Sequence, residues 1–279
     1  MLQGKQKFLK TGEIFPTKSH KIRKVLNFNT MNISIKQNLF FTILAVMAMT
    51  LCFVSCSKDE EKGKATKLLP KTINWSQEGY NPTVERYSYD NQNRLIAAEG
   101  LDWQLIFTYD ANNRPLKVEG KNWIENFEYP SANIVKATIT YNDEKEPYLT
   151  MLYLNSNNQL TKEIGDSYIY NYEYYLDGNL KRCWSDNFSD EFMSYDDKRG
   201  IFYFVNVPDW LIKYYTLPRI EFASKVNNPL KDIYTINGQS SVFSISYSYN
   251  EQNLPTKITY SDYDSFGVAV MDIEYINAK

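Results

Sequence analysis

The motif Tyr89-Asp-Asn-Gln-Asn-Arg-Leu95 recurs along the chain, and its recurrence indicates the class of fold. Further copies occupy residues 109–115, 129–135, 154–160 and 249–255, and variants occupy residues 174–180 and 195–200. The first three copies begin 20 residues apart. Self-similarity at a fixed spacing indicates a repeated supersecondary unit.

Each copy predicts a tight turn between two strands. The Asp or Asn after the aromatic residue can accept an N–H two residues on, and the later Asn tolerates the left-handed conformation that ends a type I turn with a bulge. The flanking residues alternate, with Leu105 and Phe107 on one face and Gln104 and Thr108 on the other. A period of two is typical of a half-buried strand, so the copies predict β-hairpins.

A second repeat marks the opposite turns. Glu99-Gly-Leu-Asp-Trp103 returns as Glu119-Gly-Lys-Asn-Trp123, and strand alternation favours a core position for both tryptophans. Each unit of about 20 residues therefore holds two strands and two turns. Because successive strands joined by short turns pair with each other, we expect an all-β, up-and-down antiparallel meander that forms a curved or partly closed, barrel-like sheet.

The repeat is interrupted between residues 185 and 231. Residues 208–215 predict a short helix with Pro208 at its first position and a stop near Pro218. The insertion is open to three interpretations: a specific function, a plug, or an excursion that covers a sheet edge. As candidate ligand-binding residues we take its aromatic side chains with polar tips, namely Trp184, Trp210, Tyr214 and Tyr215.

The N-terminal part predicts export. Leu39–Val54 is a charge-free apolar run, preceded by Lys36 and followed by Ser55-Cys56. It is shorter than the roughly 20 residues of a comfortable membrane helix and ends at a small residue, as a signal peptide does. We predict a signal peptide over residues 31–55 beginning at Met31, with residues 1–30 as an over-long extension.

Phe53-Val-Ser-Cys56 resembles the lipobox of bacterial lipoproteins, which implies that Cys56 is lipidated and becomes the first mature residue. Phe53 departs from the Leu usual in that pattern, and Cys52 is a rival that follows the bulky Leu51. The acidic residues 57–61 resemble the signal that sends lipoproteins of Bacteroidetes-type bacteria to the exterior of the outer membrane. We therefore expect a lipidated tether over residues 56–70 and a β-meander domain over residues 71–279.

Two further resemblances concern the repeats. The Tyr-Asp-x-x-Asn-Arg-Leu units resemble the YD repeats of large bacterial surface proteins. Together with the lipobox, the acidic tether and the Asn-Asn-Pro-Leu-Lys stretch at 227–231, they are similar to a Bacteroidetes lipoprotein family of unknown function with a porin-like fold. This resemblance covers about residues 70–279. It implies architecture and brings no catalytic residues.

Processing would limit the chemistry of the mature chain. The single histidine, His20, would be removed, which excludes Ser-His-Asp catalysis and histidine metal sites, and Cys183 would be the only free thiol. Removing the eight Lys/Arg and one Glu of residues 1–56 leaves 23 basic and 32 acidic residues, a net charge of −9. That balance disfavours nucleic acid as a partner, because binding it requires neutralised phosphates.

Two function classes remain. The favoured one is a non-catalytic surface module for binding or scaffolding, with a glycan or protein as ligand, the membrane as its lipid-mediated partner, and no cofactor or metal. The other is a glycan hydrolase that uses two carboxylates, which need to lie only about 5 to 10 Å apart. Its candidates are Asp186, Asp190, Glu191, Asp196, Asp197, Asp262 and Asp264.

A membrane porin is a further alternative that the sequence disfavours. Strands that cross a membrane need about 9 to 11 residues and an apolar outward band. The runs between turns here have only about seven or eight residues, and their polar faces carry charges such as Lys117 and Glu119. The sheet is therefore predicted to lie in water.

Overall fold

The computed structural model describes residues 66–217, 222, 224–262 and 268–279. The predicted signal peptide, Cys56, residues 57–65 of the tether and Asp264 lie outside this part of the chain. Within it the strands are β1 Leu68–Gln77, β2 Thr83–Tyr89, β3 Leu95–Glu99, β4 Gln104–Tyr109, β5 Pro115–Glu119, β6 Trp123–Ser131, β7 Ile134–Tyr141, β8 Tyr148–Leu154, β9 Leu160–Ile164, β10 Ile169–Tyr174, β11 Leu180–Ser185, β12 Phe188–Tyr195, β13 Pro229–Ile236, β14 Gln239–Tyr249, β15 Pro255–Asp262 and β16 Val268–Asn277.

The strands form a closed up-and-down barrel. Each strand pairs antiparallel with its neighbours in sequence, and β1 pairs with β16 to close the circle, from Leu68 opposite Asn277 to Gln77 opposite Ala269. The predicted antiparallel meander is confirmed, and its closure, which the sequence left open, is complete. The barrel belongs to a compact unit of residues Gly63–Lys279.

The turns at one end of the barrel have the predicted geometry. In the turn from β2 to β3, the Asp90 carboxylate accepts N–H bonds from Gln92 at 2.8 Å and Arg94 at 3.0 Å, and Asn93 is left-handed with φ 59°. The equivalent residues of three other copies are also left-handed: Asn113, Asn158 and Asn253, at 64°, 57° and 59°. We call this end the Asx rim and the opposite end the far rim.

One copy of the repeat departs from this geometry. Strand β6 continues through Pro130 to Ser131, which pairs with Ile134, and Asn133 is not among the left-handed residues. Proline stands where the other copies have Asp or Asn, so no side chain can accept the turn N–H bonds. The prediction of the same turn at residues 129–135 was therefore wrong, although a hairpin forms there.

Tyrosine hydroxyls link consecutive repeats. The Tyr109 hydroxyl donates to the Leu95 carbonyl at 2.7 Å, and the Tyr129 hydroxyl donates to the Pro115 carbonyl at 2.6 Å. At both acceptors the strand register shifts by a bulge. The residue that the bulge leaves out of the ladder is the one after each acceptor, Ile96 or Leu116, so the tyrosine adds a donor to the carbonyl beside the bulge. The same bond is made by Tyr174, Tyr195 and Tyr275 to Leu160, Leu180 and Pro255.

At the far rim, tryptophans fold over glycines. A Cβ atom on Gly100 would lie 2.3 Å from Nε1 of Trp103, and one on Gly120 would lie 2.2 Å from Cε2 of Trp123. Both tryptophans are partly buried against the hydrophobic core, as the strand alternation predicted. The repeated Gly-x-x-Trp spacing thus provides the space that each indole ring occupies.

The insertion is a plug inside the barrel. We define the plug as the described residues between β12 and β13, which are residues 196–217, 222 and 224–228. The ring centre of Phe202 in the plug lies 5.6 Å from that of Tyr87 on β2. The ring centre of Trp210, also in the plug, lies 5.4 Å from that of Phe127 on β6. A segment that contacts strands on separate parts of the wall lies within the barrel, so the plug interpretation is correct and the edge-covering one is wrong.

The predicted short helix is present in the plug. Helix α1 spans Asp209–Tyr214, with Pro208 at the N-cap, one position before the predicted N1. It ends before Thr216, whose φ of 50° is left-handed. None of the helices in the described part of the chain is long and apolar enough to span a bilayer.

Asparagines fasten the plug to the Asx rim at two places, before α1 and where the plug ends. The N–H of Asn206 donates to the Asn93 carbonyl at 2.9 Å, and its side-chain carbonyl accepts from Nδ2 of Asn113 at 2.8 Å. At the other end, Asn227 and Asn179 exchange two hydrogen bonds of 3.0 Å. These bonds give the Asn-Asn-Pro-Leu-Lys stretch a structural role where the chain rejoins the wall.

The outer face of the wall carries charged pairs that bridge neighbouring strands. Lys136 pairs with Glu128 at 3.1 Å, and Lys181 pairs with Glu173 at 2.8 Å. These side chains are between about a third and two thirds exposed, so each pair contributes little to stability. Their position shows that the outer face of the wall carries charge beside exposed apolar residues such as Ile106 and Ile124, while most of the buried core is apolar.

Replacing Asn113 by Val tests the turn geometry. A β-branched residue is strained at positive φ, so we expect the free energy of unfolding to fall by roughly 1 to 3 kcal/mol in a denaturant titration. Asn113→Gly should recover most of the loss, because glycine adopts this φ freely and lacks only the bond to Asn206. Asn133→Val is the matched control and should change stability little. Equal effects of the two valines would contradict the assignment.

Candidate functional site

A cleft of about 310 Å³ opens at the Asx rim, between the turns of three hairpins and the plug. The turns follow β4, β6 and β8, and the plug contributes the residues that lead into α1. The lining residues are Asn112, Asn113, Arg114, Pro115, Tyr129, Ala132, Leu154, Asn158, Val207, Pro208 and Trp210. We call this the rim cleft.

The repeat itself builds the polar edge of the rim cleft. Asp110 accepts N–H bonds from Asn112 at 2.8 Å and Arg114 at 2.9 Å, which holds the turn closed. The side chains of Asn112 and of Asn158, from the turn after β8, lie at the exposed edge of the cleft, while Leu154 is buried. The cleft therefore combines an apolar floor with exposed amides.

The charges at the rim cleft balance. Nε of Arg114 lies 2.7 Å from Oδ2 of Asp110, and the guanidinium lies 5.0 Å from the centre of the Tyr129 ring. Hydrogen bonds from the Arg114 backbone N–H and side chain lower the pKa of the Asp110 carboxyl. The pair stays ionised at neutral pH, so the one charged lining residue already has its counter-ion.

One polar atom of the rim cleft has no partner. Nδ2 of Asn113 donates to the plug residue Asn206, but its Oδ1 is buried without a hydrogen-bond partner among the described residues. A buried carbonyl oxygen without a donor costs about 1 to 3 kcal/mol. Because this oxygen is buried behind the cleft surface, the polar groups that a ligand can reach are the exposed amides of Asn112 and Asn158.

The structure brings three of the four predicted ligand residues together. Trp210 is 3% exposed, packs on Phe127 and lines the rim cleft, while Tyr214 and Tyr215 are partly buried and both donate to the Glu125 carboxylate. These three are parts of the packed plug. Their role in binding a ligand stays a prediction.

Trp184 lies apart from these plug residues. It stands on β11 beside the buried Cys183, and the Arg182 guanidinium lies 4.8 Å from its ring centre. Because successive side chains of a strand point to opposite faces, Trp184 faces outwards. It is not brought into the rim cleft.

The wall carries a group of inward-facing carboxylates, of which sequence reasoning singled out only Asp190. Glu125 lies between Trp123 and Phe127 at alternate positions of β6, and it accepts from the Tyr214 hydroxyl at 2.6 Å. The other buried acids on the wall strands are Glu85, Glu163, Asp190 and Asp232. Strand alternation could have found them, since each shares a face with buried aromatic or apolar residues.

The carboxylates predicted for a hydrolase are dispersed. Glu191 pairs with Arg182 on the outer face, Asp196 accepts from Asn228 at the start of the plug, and Asp197 is exposed beside Lys198. Asp190 is buried, and Asp186 lines a second cavity of about 240 Å³ at the far rim. The Asp262 side chain and Asp264 lie outside the described residues.

The plug also contains buried ammonium groups. Nζ of Lys213 lies 2.8 Å from Oδ1 of Asp209, and Nζ of Lys225 donates to the carbonyls of Val205 and Val207 at 2.8 and 2.7 Å. Burial lowers the pKa of Lys225. These contacts brace the segment that leads into the rim cleft.

Among the residues the structure describes, no group of three or more His, Cys, Asp or Glu is arranged for a metal ion.

Glu85 gives the barrel a pH dependence. Burial raises the pKa of its carboxyl from 4.5 to about 7, although the Tyr87 hydroxyl donates to it at 2.5 Å and opposes the rise. The folded chain therefore keeps a proton that the unfolded chain loses above pH 4.5. Stability contributed by this proton is lost as the pH rises from about 4.5 to 7.

Replacing Glu85 by Gln should flatten that dependence. A pKa difference of this size corresponds to about 3 kcal/mol of unfolding free energy between pH 4.5 and pH 7 or above. We expect Glu85→Gln to be more stable than the parent at pH 8 and close to it at pH 4.5, in denaturant titrations at both values. Glu78→Gln, at an exposed turn, is the control. A difference that grows as the pH falls would contradict the assignment.

Comparisons with known proteins give structural neighbours but no family. No protein-family model and no curated protein matches the chain. Among solved structures, the chain is similar to a porin-like protein from Bacteroides vulgatus, with 10% identity, a TM-score of 0.41 and coverage of 75% of this chain and 99% of that one. It is also similar to a porin-like protein from Bacteroides uniformis, with 11% identity, a TM-score of 0.36 and coverage of 76% and 99%.

Proposed function

We propose that this chain is a lipid-anchored, non-catalytic binding module on the outer membrane, facing the exterior, as its resemblance to Bacteroidetes surface lipoproteins implies. The observation that carries the non-catalytic, water-facing part of this proposal is the distribution of polar and apolar side chains over the wall. Apolar and aromatic side chains of the wall pack on the plug, and the outer face bears ion pairs.

A barrel that crossed the membrane would need an outer surface of the opposite polarity. Its outward face would be an apolar band, and a Lys or Arg at the middle of the bilayer would cost about 2 to 4 kcal/mol. The cross-strand pairs of Lys136 and Lys181 lie on that face. A plugged, charged-outside barrel is suited to water, and a lipid on Cys56 would then supply the attachment to the membrane.

The hydrolase alternative receives less support. Its mechanism needs two accessible carboxylates on either side of one substrate. The described candidates lie on the outer face, at the start of the plug, in the core and at the far rim. The rim cleft is lined instead by amides, an arginine and apolar residues. This lining favours binding without catalysis.

Substituting Cys56 by Ala tests the anchor. We expect the variant to move from the membrane pellet to the soluble fraction and to lose labelling by radioactive palmitate. Cys52→Ala is the matched control, since it removes the rival cysteine, and it should remain in the membrane with its label. A Cys56→Ala protein that still carries palmitate would show that the lipid is attached elsewhere.

A further inference from the structure

We propose that the rim cleft binds the end of a neutral saccharide. This inference rests on the proposed binding function and names the chemical class of the ligand. Three properties of the rim cleft carry it: its size, its charge balance and the arrangement of its polar and apolar groups.

The size of the rim cleft suits a small ligand or the end of a chain. Its volume of about 310 Å³ is at the lower end of small-molecule sites, which are about 300 to 1,000 Å³. The barrel wall is closed, so an extended peptide finds no free edge among the described strands to pair with. A compact ligand that enters end-on is therefore favoured.

The charge balance selects a neutral ligand. Arg114 is the one charged lining residue, and its Nε already lies against the Asp110 carboxylate. A carboxylate or phosphate would have to compete with Asp110 for this guanidinium. An ammonium group would find no carboxylate among the described residues that line the cleft. Neither sign of charge gains by entering the cleft.

The polar groups of the rim cleft favour a ligand with many hydroxyls. The exposed amides of Asn112 and Asn158 can both donate and accept, whereas the Oδ1 of Asn113 is buried out of a ligand's reach. A sugar hydroxyl does both as well. Hydroxyls are thus the groups that satisfy the two exposed asparagines without introducing charge.

The apolar floor completes the match. Pro115, Leu154, Val207 and Trp210 are the largely buried apolar residues that line the cleft. A pyranose ring has C–H groups on its faces and hydroxyls around its edge, so its face can pack on the floor while its edge meets the asparagines. Burial of apolar area and a few directed hydrogen bonds are the usual composition of a specific site.

The test compares two equivalent asparagines of the repeat. Asn158 lines the rim cleft and Asn253 does not, yet both are exposed and left-handed, with φ of 57° and 59°. Glycine adopts such a φ freely, so Asn158→Gly and Asn253→Gly each remove an amide with the turn preserved. Equal melting temperatures of the two variants confirm that both fold alike.

The full chain, purified in detergent, is titrated calorimetrically with glucose, galactose and N-acetylglucosamine, and with glucuronate and glucosamine as charged counterparts. We expect at least one neutral sugar to saturate the protein, with Kd about fivefold weaker in Asn158→Gly and unchanged in Asn253→Gly. The charged sugars should bind more weakly than the neutral ones.

Three outcomes overturn the inference: no neutral sugar saturates the protein, both glycine variants weaken binding equally or not at all, or a charged sugar binds best. Failure here is distinguishable from failure of the proposed function, because membrane anchoring through Cys56 is measured without any sugar. A chain that is anchored but binds no sugar overturns this inference alone.

Discussion

The barrel depends on the bond from a tyrosine hydroxyl to the carbonyl beside a bulge. Left-handed Asn93 ends the first Asx turn, the bulge between Leu95 and Ala97 shifts the register, and Tyr109 of the next repeat donates to the Leu95 carbonyl at 2.7 Å. Such a bond contributes only about 1 kcal/mol net, but a buried carbonyl without it would cost about 1 to 3 kcal/mol. In the repeats that open with Tyr109, Tyr129, Tyr174 and Tyr195, the bond therefore ties the opening tyrosine to the last residue of the preceding motif.

The number of strands explains why the repeat has to be interrupted. Side chains alone can fill a barrel of about eight strands, but one of about sixteen leaves a wide interior. Here the plug fills that space with aromatic residues, and Tyr214 and Tyr215 satisfy the inward-facing carboxylate of Glu125. A fully regular meander of this length would enclose water, so a dry interior needs a segment with another pattern.

Local patterns predicted local structure, and non-local structure escaped them. The Asx turns, the strand alternation around Phe107 and the helix at 209–214 each follow from neighbouring residues, and each was predicted. The failure at Asn133 is also local, since Pro130 removes the acceptor. In contrast, closure of β1 on β16 and the course of the plug depend on contacts between distant parts of the chain. Glu125 was missed because acids were assumed to be solvated.

The rim cleft arises from the repeat and its interruption together. The Asx rim carries similar turns around its circumference, and similar turns offer similar amides to a ligand. Where the plug passes among them, Asn206 is fixed to the turns at Asn93 and Asn113, and Val207 and Trp210 then form an apolar floor beside the amides. The repeat thus supplies the hydrogen-bonding groups, and the plug supplies the asymmetry that makes one part of the rim different from the rest. Specificity in such a barrel follows from where the plug emerges.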